Sequence, residues 1–330
     1  MQMDELIAGF TEQLREAMAI GRKAPIPANG SSIGKIVVSG LGGSGIGGNL
    51  VYEMVSEELT VPFEVNQNYS LPNYVDESTL VIVSSYSGNT EETLQSLELA
   101  IQRNARIICI SSNGQIIDKA REAGYDFIRI PGGMPPRACL GYSFVQQLYV
   151  LSKLGLISSA FETALTKAIA LLDQEEEAIK RTAYNVASQL HNHQPIIYAE
   201  DSKTAVAVRF RQQLNENSKK LAWHHVIPEM NHNELVGWRA NDHHYAVVFL
   251  RSQDDDERNK QRIEINKEII GQYTNNIREI WAKGASKMEQ ALYLIHVVDW
   301  VSLYLAEKRG MDPVEVDVID YLKGELKKKA

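Results

Sequence analysis

The sequence predicts an α/β protein with two domains, each a parallel sheet flanked by helices in three layers. Short, nearly continuous apolar runs alternate with segments of helical periodicity, a pattern typical of parallel strands buried on both faces. This alternation occurs twice, over roughly residues 35–155 and 190–330, and a long helical region separates the two stretches. We therefore expect an N-terminal helix and loop (1–30), a first domain (31–160), linking helices (161–190) and a second domain (191–330).

The first half begins with a predicted amphipathic helix over residues 4–23, because its apolar residues share one stripe at helical spacing. Five apolar runs follow and predict strands at 35–40, 63–67, 79–88, 106–112 and 126–132. Segments of helical periodicity lie between or after them, at 45–58, 90–104 and 115–123.

The second half repeats the rhythm after the linking helices. Apolar runs predict strands at 194–201, 221–230, 245–252 and 277–283. Helices are predicted at 202–220, 257–272 and 286–310, and a last helix is predicted to begin after residues 312–322.

Composition and charge narrow the class of protein. The chain has 330 residues, a net charge of −8 and a pI near 5.6, which argues against a nucleic-acid partner because such a partner favours a basic face. No apolar run is long enough to span a bilayer, and the acidic N-terminal segment is unlike a signal peptide. Cys109 and Cys139 lie in apolar contexts without ligand-like neighbours. We expect a cytoplasmic protein without a disulfide.

A glycine-rich segment, "GLGGSGIGG" over residues 40–48, follows the first predicted strand. Exposed backbone N–H groups at a strand-to-helix turn bind anions, and the helix N-terminus adds partial positive charge. The spacing of Gly40, Gly42 and Gly45 fits a dinucleotide fingerprint, and Glu64 could then bind the ribose. The same glycines would serve any phosphate, so the segment alone predicts an anion site of unspecified kind.

A serine-rich segment, "SSYSGNTEET" over residues 84–93, follows the third predicted strand. Ligands of open parallel sheets bind beyond the carboxyl ends of the strands, so both segments are expected at one edge. Hydroxyl groups beside the first N–H groups of a helix suit a phosphate dianion. Helix capping explains one or two hydroxyls, but the segment has five, at Ser84, Ser85, Ser87, Thr90 and Thr93. We therefore favour a phosphate monoester over a dinucleotide.

The two segments together resemble the sugar isomerase (SIS) domain, which binds phosphosugars. Further motifs resemble the dual-specificity phosphoglucose/phosphomannose isomerases: "PGGMPPRACLGY" (131–142), "NENSK" (215–219), "PEMNHNELVGW" (228–238) and "DWVSLYLAEKRGMDPVEVDVIDYLK" (299–323). The resemblance covers nearly all of the chain beyond residue 30. It implies two SIS domains, a homodimer, no metal and no redox cofactor.

The resemblance also implies site residues for aldose–ketose isomerisation, in which a proton moves between C2 and C1 of a hexose phosphate. Glu216 corresponds to the base, Arg137 to the group that stabilises the enediolate, and His232 to the group that opens the ring and comes from the other subunit. Lys323 matches a lysine that assists ring opening. The resemblance further implies that Gly43, Ser44, Ser85, Ser87 and Thr90 bind the phosphate.

Residue chemistry agrees with these roles without fixing them. A partly buried carboxylate can serve as a base, a histidine can transfer protons near neutral pH, and a planar guanidinium suits an oxyanion. The alternatives are a solvated Glu216 paired with Lys219 or Lys220, and an Arg137 salt bridge between domains. The pairs His224–His225 and His243–His244 could suggest a metal, but adjacent strand residues point to opposite faces.

The sequence thus predicts an isomerase for glucose 6-phosphate and fructose 6-phosphate, with mannose 6-phosphate as a further substrate. Three other functions stay open. They are a non-catalytic phosphosugar-binding protein, an aminosugar-phosphate isomerase and a nicotinamide-dependent dehydrogenase.

Overall fold

Each predicted strand is present in the computed structural model, which describes residues 2–27, 32–240 and 244–329. The strands are β1 Lys35–Ser39, β2 Phe63–Asn66, β3 Thr79–Ser84, β4 Arg106–Ser111, β5 Asp126–Arg129, β6 Gln194–Glu200, β7 Trp223–Ile227, β8 Tyr245–Arg251 and β9 Ile277–Trp281.

The strands alternate with helices, as the sequence predicts. The helices are α1 Met3–Ala8, α2 Phe10–Lys23, α3 Gly42–Val55, α4 Glu91–Gln102, α5 Gln115–Ala123, α6 Leu140–Lys153, α7 Ala160–Leu190, α8 Thr204–Glu216, α9 Glu234–Gly237, α10 Glu257–Ile270, α11 Lys287–Arg309 and α12 Asp317–Lys327.

The strands form two fully parallel sheets, and helices flank both. The first has the order β2-β1-β3-β4-β5, and the second has the order β7-β6-β8-β9. Every residue of β3 is buried, as are all but the first residue of β6 and of β8. Strands buried in this way explain the continuous apolar runs, because a parallel strand between two helical layers has no solvent face. The α/β fold class is confirmed.

Three helix predictions differ from the structure. The N-terminal helix is interrupted at Gly9, although the stripe that predicted it is buried: Leu6, Ile7, Phe10, Leu14 and Met18. The linking region is one continuous helix, α7. The last helix begins at Asp317, inside the segment that was predicted to precede it.

The chain divides into two compact units. The first unit contains residues 8–174 and 284–289, and the second contains residues 1–7, 175–283 and 290–330. In the first unit, β1, β3 and β4 pack against α4 and α5 around Val81, Leu97 and Ile107. In the second unit, β6, β7 and β8 pack against α10 around Tyr198, Phe249 and Ile263.

Candidate functional site

The glycine-rich segment of the first unit is mostly helix rather than loop. Strand β1 ends at Ser39 and α3 begins at Gly42, so only Gly40 and Leu41 separate them. Ser44 lies in the first turn of α3, and its N–H donates to the carbonyl of Leu41 over 3.1 Å. The helix predicted from residue 45 thus begins three residues earlier, at Gly42. What this segment offers a ligand is the N-terminal turn of a helix.

The glycines inside α3 serve close packing. A Cβ atom at Gly45 would lie 2.4 Å from the carbonyl oxygen of Gly40, and one at Gly48 would lie 3.0 Å from a methyl carbon of Val38. At Gly47 it would lie 2.9 Å from Ser143 Oγ. These glycines let α3 pack directly on the sheet and on α6. Their presence is therefore explained by packing and is not evidence of contact with a ligand.

The serine-rich segment joins the end of β3 to the start of α4. The hydroxyls of Ser85 and Thr90 lie 2.9 Å apart, and Thr90 is the N-cap residue of α4. Ser87 is exposed. Ser84 and Thr93 are 1 % and 0 % exposed, the first in β3 and the second inside α4. The predicted cluster of five hydroxyls therefore reduces to three at the end of the strand.

The structure brings the two segments together. Strands β1 and β3 are neighbours, and a Cβ atom at Gly40 would lie 2.7 Å from the carbonyl oxygen of Ser84. A Cβ atom at Gly43 would lie 3.0 Å from the carbonyl oxygen of Pro136 and 3.9 Å from Arg137 Cα. The start of α3 therefore touches both the serine-rich segment and the backbone that carries Arg137.

Arg137 is buried, at 5 % exposure, in a 3₁₀ turn formed by Pro136–Ala138. Gln13 fixes this turn, because its side chain donates to the carbonyl of Ala138 and accepts from the N–H of Gly141, both over 2.7 Å. A buried guanidinium on an anchored turn can present a fixed positive charge to a ligand.

Tyr86 is a residue that the sequence reasoning missed. It lies in the serine-rich segment, and its hydroxyl accepts a hydrogen bond over 3.1 Å from the N–H of Met134. Burial, with a contribution from the neighbouring Cys139, raises the pKa of the Tyr86 hydroxyl. The backbone carbonyl of Tyr86 accepts a bond over 2.7 Å from Ser112 Oγ. Tyr86 thus joins the serine-rich segment to the segment that carries Arg137. The sign of this role in the sequence was the position of Tyr86 inside the serine-rich segment.

Glu64, the residue that a dinucleotide site would use for the ribose, lies on the edge strand β2. Its carboxylate accepts a hydrogen bond from the hydroxyl of Tyr74. The structure therefore gives Glu64 a partner within the protein.

Glu216 lies in the second unit as the last residue of α8 and is half-buried. Helix α8 is held on α11 by a buried network. Arg209 donates to both carboxylate oxygens of Asp299 over 3.0 and 2.6 Å, and Gln213 donates to the same carboxylate over 3.0 Å. The ammonium of Lys219 lies 2.8 Å from the backbone carbonyl oxygen of Glu216. This network gives the end of α8 a fixed position.

His232 is exposed at the end of a 3₁₀ turn, Glu229–His232, that follows β7. The carboxylate of Glu234 anchors this region: it accepts hydrogen bonds from Tyr198 Oη over 2.5 Å and Trp223 Nε1 over 3.2 Å, and lies 2.7 Å from His225 Nδ1. The sequence analysis did not single out Glu234. Its position two residues beyond His232 was the one feature of the sequence that pointed to this anchoring role.

Lys323 is exposed on α12, a helix in which none of the described residues is buried. Glu216, His232 and Lys323 thus lie on three separate segments of the second unit. The segments that carry Arg137 and the predicted phosphate-binding residues converge in the first unit.

The histidine pairs do not form a metal site in the described part of the chain. Within it, no group of three or more histidine, cysteine and acidic side chains has the arrangement of a metal site. His225 contacts Glu234. The pKa of His224 is lowered to about 4, mainly by burial and also by the charge of Arg211. His243 lies outside the described residues. No helix among them is long and apolar enough to cross a bilayer.

Comparison with known proteins identifies the family of the chain. The SIS domain family matches residues 31–151, and the family of the bacterial phospho-glucose isomerase C-terminal SIS domain matches residues 179–326. A bifunctional phosphoglucose/phosphomannose isomerase of Caldicellulosiruptor bescii is 39 % identical over 98 % of both chains. One of Aquifex aeolicus is 37 % identical over 89 % of this chain and 91 % of its own.

A solved structure shows the same fold at low sequence identity. It is the C-terminal domain of glucosamine-fructose-6-phosphate aminotransferase from Francisella tularensis. It superposes with a TM-score of 0.76 at 15 % identity, over 95 % of this chain and 98 % of its own.

Proposed function

We propose that this chain, which belongs to the bifunctional phosphoglucose/phosphomannose isomerase family, interconverts glucose 6-phosphate and fructose 6-phosphate and also accepts mannose 6-phosphate. The main observation behind this proposal is that the α3 N-terminus, the serine-rich segment and the backbone of Arg137 come together at one edge of the sheet. The names of the relatives in Caldicellulosiruptor bescii and Aquifex aeolicus support the same activity.

The first unit holds the substrate by its phosphate. The backbone N–H of Gly43, at the start of α3, donates to the phosphate oxygens together with the hydroxyls of Ser44, Ser85, Ser87 and Thr90. The helix N-terminus stabilises the dianion without a metal or other cofactor. Binding energy from this remote group orients the reacting carbons.

Glu216 is the base that moves the proton between C2 and C1 through a cis-enediolate intermediate. The proton removed from C2 is held by the carboxyl group and returned to C1, so the reaction needs no oxidant or reductant. Arg137 stabilises the negative charge that develops on O1 or O2. For mannose 6-phosphate, the cis-enediolate rotates about its C2–C3 bond and presents the opposite face of C2 to Glu216, so that one base serves both aldoses.

His232 opens the sugar ring by transferring a proton to the ring oxygen, and Lys323 assists. Both side chains are exposed, which supports a homodimer in which His232 completes the site of the partner subunit.

The two buried cysteines form no disulfide, which supports a reducing, cytoplasmic compartment.

The test is a coupled assay in which glucose 6-phosphate formed from fructose 6-phosphate or mannose 6-phosphate is oxidised by a dehydrogenase. The proposal predicts turnover of both substrates without added metal. Binding of fructose 6-phosphate without turnover would instead indicate a phosphosugar-binding protein. Preferential turnover of glucosamine 6-phosphate would indicate an aminosugar isomerase, and saturable NAD binding would indicate the dehydrogenase.

A further inference from the structure

We infer that Lys219 is a positioning residue for the isomerisation. Its ammonium joins the end of α8, which carries Glu216, to the turn over residues 312–315, which leads into α12 and Lys323. This inference rests on the proposed function, because it gives Lys219 a role through the base and not through contact with substrate.

The ammonium of Lys219 lies among three backbone carbonyl oxygens. The distances are 2.8 Å to Glu216, 2.6 Å to Asp312 and 2.7 Å to Glu315. An ammonium has three N–H donors and no acceptor, so these three bonds use its full capacity. The carboxylate of Glu315 is farther away, at 3.7 Å. The sequence analysis considered an ion pair between Lys219 and the Glu216 carboxylate. In the structure, the hydrogen-bond partners of Lys219 are these backbone carbonyl groups.

The backbone of Lys219 is unusual as well. Its φ is +49°, in the left-handed region where glycine is the usual residue after a helix. The N–H of the next residue, Lys220, bonds to the carbonyl of Leu214 over 3.1 Å and closes the helix end. A lysine in a position that favours glycine indicates that its side chain contributes what glycine lacks.

The base side of this junction is already rigid. Asn217 donates to Ser302 Oγ over 2.9 Å, Ser218 Oγ donates to the carbonyl of Ser302 over 2.6 Å, and all three side chains are buried. Arg309 adds a bond to the carbonyl of Ser218 over 3.1 Å. Lys219 extends this fixed frame to the 312–315 turn, beyond which α12 has no buried residue among those described.

The consequence for the chemistry is geometric. The carbonyl that Lys219 holds belongs to Glu216 itself, at the negative end of the α8 dipole, where a cation is stabilising. Fixing that carbonyl restricts the Cα of Glu216 and hence the reach of its carboxylate. A small displacement of a base from its reacting proton is costly, whereas binding through the remote phosphate is little affected.

The experiment compares Lys219→Met with Lys219→Arg, and Lys220→Met is the matched control. Burial and the nearby Arg309 lower the pKa of Lys220, so the control also removes a half-buried charge at the same helix end. Steady-state kinetics with fructose 6-phosphate give kcat and KM. Amide hydrogen exchange, read over residues 214–220 and 312–323, reports the junction itself.

We expect Lys219→Met to lower kcat by about 10- to 100-fold, with KM within about threefold of the original. Lys219→Arg should recover most of the loss, since a guanidinium can donate to several carbonyls. Exchange should quicken only in the two junction segments. A kcat unchanged in Lys219→Met, an equal loss in Lys220→Met, or faster exchange throughout the second unit would overturn the inference.

The proposed function can fail separately. If the unaltered protein does not turn over fructose 6-phosphate, the isomerase assignment and the kinetic role of Lys219 both fall. Hydrogen exchange would then still show whether Lys219 joins the two segments.

Discussion

Ser85 Oγ and Thr90 Oγ1 lie 2.9 Å apart, and this hydrogen bond joins the end of β3 to the N-cap of α4. Each hydroxyl thereby fixes the direction of the other. Paired hydroxyls beside free helix N–H groups are preorganised for an anion, because little side-chain entropy remains to be lost on binding.

The first prediction concerns this pair. Ser85→Ala removes one donor to the phosphate and leaves Thr90 without its partner. A hydrogen bond to a charged group contributes about 1.5–3 kcal/mol, so KM for fructose 6-phosphate should rise by about 10- to 100-fold, with a smaller change in kcat. Ser188→Ala, on the exposed side of α7, is the control. An unchanged KM in Ser85→Ala would remove Ser85 from the phosphate site.

The second prediction concerns Tyr86. Tyr86→Phe deletes the acceptor of the Met134 N–H and loosens the segment that carries Arg137. We expect kcat to fall by about tenfold and KM to change less, because Arg137 acts on the developing enediolate. Tyr74→Phe removes a hydroxyl that bonds Glu64 in the same unit and should leave both constants unchanged. Equal effects of the two variants would contradict the positioning role.

The third prediction concerns the dimer. The homodimers Glu216→Gln and His232→Asn should each be inactive, but mixing and reassociating them should restore about a quarter of the original activity. Half of the reassociated dimers would be mixed, each with one site that combines an intact Glu216 with an intact His232 from the partner. Mixing Glu216→Gln with the double variant is the control. If mixed dimers form without recovery, His232 acts within its own subunit.

The fourth prediction concerns pH and stability. Burial lowers the pKa of His224 from 6.5 to about 4. Between these two pH values His224 is protonated in the unfolded chain and neutral in the folded chain. The stabilisation by neutral His224 is complete above pH 6.5 and is lost as the pH falls toward 4. His224→Gln should therefore flatten the pH dependence of the urea midpoint between about pH 4 and 6.5. Identical curves for His224→Gln and the unaltered protein would refute the assignment.

Much of the fold could be predicted because periodicity reports burial directly. The strands are continuous apolar runs in the sequence and lie between helical layers in the structure. Helix ends were harder. The glycines at the start of α3 suggest a ligand-binding turn in the sequence, yet Gly48 leaves room for the side chains of Val38 and Val65. That contact depends on tertiary packing, and no local pattern contains it.

The site divides in the same way. Ser85, Thr90 and Arg137 stand in motifs that could be read from the sequence, and the first unit brings their segments together. The positioning roles of Tyr86 and Lys219 were missed because Tyr86 and Lys219 bond to backbone groups of segments that are distant in the sequence. A lysine that bonds three carbonyls has no distinguishing neighbour in the sequence.

The most direct test of the account is isomerisation of fructose 6-phosphate in D₂O by the unaltered protein and by Glu216→Gln. The account predicts partial deuterium at C2 of the glucose 6-phosphate formed by the unaltered protein, because the proton held by the Glu216 carboxyl exchanges with D₂O in a fraction of turnovers before it is returned. It predicts a loss of turnover of about 100- to 10,000-fold in Glu216→Gln, with fructose 6-phosphate binding retained. Glu268→Gln, an exposed carboxylate on α10, serves as the control. Turnover by Glu216→Gln within about twofold of the original would contradict the central claim that this carboxylate moves the proton.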